Sequence, residues 1–87
     1  MSTKTTKQKL PKWFNGELYE EGATVRNRFS GEEYELNAME LSMYDFVMGS
    51  TILVEMGGGG PKMITELRKG LSWFRMNNAK AYMVLLD

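Results

Sequence analysis

Residues 37–60, NAMELSMYDFVMGSTILVEMGGGG, decide how this chain folds. Asn37 followed three residues later by Glu40 is the pattern of a capping box. The Asn side chain accepts from a first-turn amide and the Glu reaches back to the cap. A helix over about 38–56 is predicted from that start. On a wheel of 100° per residue its apolar groups fall on two opposite sides. Met39, Met43, Phe46, Val47, Ser50, Leu53 and Val54 form one stripe, read as the domain's own core. Leu41, Tyr44, Met48 and Ile52 form the other, with Asp45 and Glu55 at its margins. A small domain usually hides one face of a helix, so the second stripe is expected to meet a partner.

Gly57–Gly60 stop this helix, and Pro61 suits the first position of the next. A second, antiparallel helix is predicted over about 61–76. Met63, Ile64, Leu67, Gly70, Leu71 and Phe74 share one face of it, and Lys62 is spaced to pair with Glu66. Trp73 lies off that stripe, which calls for cover from Trp13, the N-terminal segment or another chain, and it joins the candidate interface. Asn77-Asn78 break the helix. Asn78 is suited to cap a short last helix over 79–86, and a terminal strand over 82–86 is the alternative.

Upstream of residue 37 the pattern is β-like. Glu17–Glu20 is a short candidate strand. Ala23–Arg28 and Glu33–Leu36 alternate around Phe29-Ser30-Gly31-Glu32, whose glycine suits a hairpin connection. Val25 is expected opposite Tyr34 or Leu36 on a buried side, with Arg26, Arg28, Glu33 and Glu35 on the wet side. Residues 1–9 are polar and expected as a flexible basic tail. Residues 10–87 are then one small domain, with Trp13 and Phe14 pinning its start. The predicted fold is α+β, a short antiparallel hairpin within about 17–36 packed on two antiparallel helices, closed by a short C-terminal helix.

Composition removes several functions. Among the 87 residues there is no Cys and no His, which excludes disulfides, thiolate chemistry, imidazole proton transfer and the commonest metal ligands. No metal or cofactor is expected, and no catalytic constellation is found. The net charge is zero but segregated, +4 over residues 1–12, −7 over 13–60 and +3 over 61–87. No broad basic field for nucleic acid results. The lysine tail followed by Trp13 and Phe14 is the weaker nucleic-acid alternative. No apolar run follows the N-terminal lysines, and the longest uncharged stretch of the first helix, Phe46–Val54, is far short of the ~20 residues that span a bilayer. A cytoplasmic protein without membrane contact is expected. Gly58, Gly59, Gly60 and Lys62, at a helix start, are a candidate anion site. The spacing does not match a phosphate-binding Lys-Ser/Thr loop, Pro61 removes an amide, and a plain connector is the competing reading.

Trp13-Phe14-Asn15-Gly16, the run Asn27–Asn37 (NRFSGEEYELN) and Glu40–Phe46 (ELSMYDF) resemble short uncharacterised proteins carried by marine cyanobacterial phages. The resemblance covers about residues 10–87. It implies a small protein made in the host cytoplasm during infection and brings no activity, ligand or site residue. The expected function is therefore a non-enzymatic protein–protein interaction module. It is expected to work as a homodimer or on a host protein, through Leu41, Tyr44, Asp45, Met48, Ile52, Glu55 and Trp73.

Overall fold

The computed structural model describes residues 8–86. Strands β1 (Ala23–Arg26) and β2 (Glu33–Leu36) form a two-stranded antiparallel sheet, followed by helices α1 (Ala38–Glu55), α2 (Gly60–Asn77) and α3 (Ala79–Ala81). The chain continues from α3 as a π-helical segment, Tyr82–Leu86. The α+β architecture expected from the sequence is the one observed, and the C-terminal element is helical rather than a strand.

Both ends of α1 form as their residues dictate. Asn37 Oδ1 accepts from the Glu40 amide (2.8 Å), and Glu40 Oε1 accepts from the Asn37 amide (3.0 Å). At the other end the Gly57 amide donates to the Val54 carbonyl (3.0 Å) and the Gly58 amide to the Leu53 carbonyl (2.8 Å). This is a Schellman closure, and it needs Gly57 at φ 88°, a left-handed conformation that costs a residue with a Cβ. The loop is too short to carry α2 away, so α2 packs back along α1. The contact is tightest at Gly70, where a Cβ would lie 2.9 Å from Val47 Cγ2 and 3.3 Å from Met43 Sδ.

In the hairpin Val25 faces Tyr34 and Arg26 faces Glu33, so the apolar pair points inward and the charged pair outward. Glu17–Glu20 is not a third strand. Its backbone is engaged elsewhere, with the Tyr19 amide donating to Ser42 Oγ on α1 (2.9 Å), and Leu18 is left exposed. The core joins every layer: Leu36 from β2, Met43 and Val47 from α1, Trp73 and Phe74 from α2, Ala81 from α3 and Leu85 from the last segment.

The first turn of α1 also holds the two ends of the described chain. Glu40 is 4 % exposed, and its Oε2 accepts from Gln8 Nε2 (2.8 Å) and from Asn78 Nδ2 (2.9 Å). Gln8 Oε1 in turn accepts from Asn37 Nδ2 (2.9 Å), and Asn78 Oδ1 caps α3 through the Ala81 amide (3.1 Å). A buried carboxylate is costly unless its oxygens are hydrogen-bonded. Here three uncharged N–H donors supply that, and among the described residues no buried side-chain N or O lacks a partner. Of the expected tail, residues 1–7 lie outside the described residues. Gln8 and Lys9 do not belong to it. Gln8 is buried in this cluster, and the Lys9 carbonyl accepts from Trp73 Nε1 (2.7 Å).

Glu40→Gln puts an NH₂ where three donors converge, so stability falls by about 1–3 kcal/mol in urea unfolding. Gln8→Ala is strongly non-additive with it, because the two share one network. At Gly70 the stiff Val47 side chain cannot step aside. Gly70→Ala is net destabilising there, since an overpacking cost of about 1–3 kcal/mol exceeds the better helix propensity. Gly49→Ala has the opposite sign. Its Cβ meets nothing within 4 Å, and stability rises by about 0.5–1 kcal/mol on the same unfolding curves.

Candidate interaction surface

The two stripes of α1 are covered unequally. On the expected core side Met43, Val47 and Ser50 are buried, and Phe46 is half-buried under Trp13 and Phe14, with ring centroids 5.7 and 5.6 Å away. Met39 and Leu53 are exposed, contrary to that expectation. Leu53 sits in the last turn beside the four-glycine loop, which has no side chains to lay over it. Met56, at the cap, is 77 % exposed for the same reason.

The second stripe is graded along the helix. Leu41 and Tyr44 pack against the core cluster, Met48 is half-buried, and Ile52 is 49 % exposed. Along this second stripe the chain covers the first half of α1 and leaves the second half partly open. Three of the expected interface residues therefore have partners within the chain. Leu41 is core-packed. Asp45 stands beside the Tyr19 hydroxyl, whose pKa is raised by desolvation and then by the charges of Asp45 and Glu17. Trp73 is 8 % exposed, edge-on to Phe74 and bonded to Lys9, so the N-terminal segment supplies the cover its off-stripe position demanded.

Tyr44, Met48, Ile52 and Glu55 do come together. With Arg26, Arg28 and Phe29 of the hairpin and Leu85 beneath, they line a groove of ≈ 250 Å³. Burial pushes the Tyr44 phenol up and Arg28 pulls it the other way, so this hydroxyl stays protonated at neutral pH. Phe29 stands at the rim, 89 % exposed, with the Arg28 guanidinium 5.4 Å from its ring centre. Its backbone is held. Asn27 Oδ1 accepts from the amides of Phe29 (2.8 Å) and Ser30 (3.2 Å), and Asn27 Nδ2 donates to the Val84 carbonyl (2.9 Å). The hairpin tip is thus tied to the C-terminal segment. Sequence reading treated residues 29–32 only as a connection and missed Phe29, Arg26 and Arg28 as site residues. The available signal was a large aromatic in a turn made otherwise of small and charged residues.

At the candidate anion site the glycine loop runs as a connector between α1 and α2. The Gly58 amide is spent on Leu53, Pro61 has none to give, and Gly59, Gly60 and Lys62 are exposed around a connector. Trp13 and Phe14, the aromatics of the nucleic-acid alternative, are half-buried and packed on Phe46. Among the described residues no group of acids is placed to hold a metal ion, and no helix is long and apolar enough to cross a membrane. A depression of ≈ 760 Å³ beside the Glu40 cluster is lined by the side chains that build it and by Glu20, Tyr34 and Glu35.

No family model matches this chain, and no curated protein or solved structure is significantly similar to it.

Proposed function

We propose that the protein is a non-enzymatic interaction module that binds another polypeptide in the groove between the hairpin and the second half of α1. The observation that supports this most is Phe29, held in place by Asn27 and Arg28 yet exposed beside an apolar floor of Tyr44, Met48 and Ile52. A lone exposed apolar residue is ordinary on a protein surface, whereas a contiguous apolar depression rimmed by charge marks a contact site. The groove's composition fits as well. Aromatic residues, Met and Arg are the types enriched at the centres of interfaces, and the groove carries Phe, Tyr, Met and two Arg but no Lys. Together with the resemblance to short cyanophage proteins, this reading makes the chain an accessory protein acting by contact in the host cytoplasm.

Side chains kept for binding are dispensable for folding. Met48→Gln and Ile52→Thr in dilute protein are expected to shift the unfolding free energy by no more than about 0.5 kcal/mol, the range of ordinary surface changes. Phe74→Ala in the core costs about 3–5 kcal/mol on the same curves. A loss above about 2 kcal/mol at Met48 or Ile52 makes the groove part of the core and overturns the proposal.

A further inference from the structure

We infer that the groove's occupant is a second copy of this chain, docked about a two-fold axis so that Phe29 of each copy enters the groove of the other. This rests on the interaction reading above and adds the partner and its geometry. A two-fold contact uses the same patch twice, so a residue and the site it fills must lie on one face. Phe29 and the groove meet that condition, since the ring stands on the groove's own rim and points into solvent. The size matches. An apolar cavity of about 150 Å³ takes up a benzene ring, and this groove holds ≈ 250 Å³. The knob is also pre-formed, because Asn27 fixes the backbone of the turn and Arg28 lies against the ring. Little freedom is lost when such a ring is buried.

Charge selects a second copy over a foreign segment. The hairpin wall carries Arg26 and Arg28, and the helix wall carries Glu55. An acidic segment laid in the groove meets Glu55, and a basic one meets the arginines. A second copy turned by the two-fold brings the arginine wall of each protomer to the acid wall of the other, so both signs are matched at once. Arg28 lies against the Phe29 ring that crosses into the partner, so it is carried across with that ring, and its partner is Glu55 of the other copy.

Sedimentation equilibrium on the full chain tests this. The wild type dimerises below high-micromolar concentration. Phe29→Ala keeps its thermal midpoint when dilute and weakens the dimer roughly 100-fold or more, since two central anchors are lost per dimer. Arg28→Glu and Glu55→Arg each weaken it about 10-fold or more, and the double variant returns to within about threefold of wild type, because the exchange re-forms both crossed pairs. Overturning results are a wild type monomeric at high micromolar concentration, a dimer indifferent to Phe29→Ala, or a double variant no tighter than its parents. A monomeric wild type whose Met48 and Ile52 variants stay fully stable removes the second copy and leaves the interaction reading standing. Variants that unfold remove both.

Discussion

Three uncharged donors converge on the buried carboxylate of Glu40, and the arrangement of this domain follows from keeping them there. The Asn37 amide starts α1 at the point where β2 ends, so the hairpin and the helix share one hinge. Gln8 brings the N-terminal segment across, which sets Lys9 over Trp73 and carries Trp13 and Phe14 onto Phe46. Asn78 arrives from the far end of α2 and turns the chain into α3, which places Leu85 beneath the groove. In a chain this short the apolar core is modest. A satisfied polar cluster helps to choose among the ways so few side chains could pack, because each competing arrangement strands a buried donor or the charge itself.

What could be read in advance was local. The cap at Asn37 and Glu40, the stop at the glycines, Pro61 in the first turn of α2, the pairing of Val25 with Tyr34 and the Asn78 cap each depend on residues within a few positions, or on a two-residue period. All of them are present. What could not be read was the long-range use of polar side chains. Nothing in the spacing of Ser42 announces that it satisfies the Tyr19 backbone, and Glu17–Glu20 alternates well enough to pass for a strand. Gln8 looks like tail by composition. Its burial depends on acceptors and donors 29 to 69 residues away, contributed by α1 and by the end of α2.

The candidate site was half legible for the same reason. A helical wheel treats α1 as uniform along its length, and it located Tyr44, Met48 and Ile52 on the side that remains partly open. It could not register that the cover is graded, with Leu41 packed on the core cluster and Met56 largely exposed. Nor could it bring Phe29 and Arg28 into view, since they reach the groove only because Asn27 ties the hairpin tip to Val84. The apolar surface left on α1 is thus less than the periodicity suggested and more sharply localised, at one end and beside an aromatic.

The bond from Gln8 Nε2 to the Asn77 carbonyl, 3.3 Å long, links positions 69 residues apart and makes the polypeptide nearly a closed ring. Tension applied between the extremities of such a molecule loads this clasp and Glu40 beside it, together with the Asn27–Val84 bond that ties the two-stranded ribbon to the last segment. Mechanical resistance therefore resides in a few side-chain contacts, which rupture before any helix is drawn out, and the domain is built to yield at its seam.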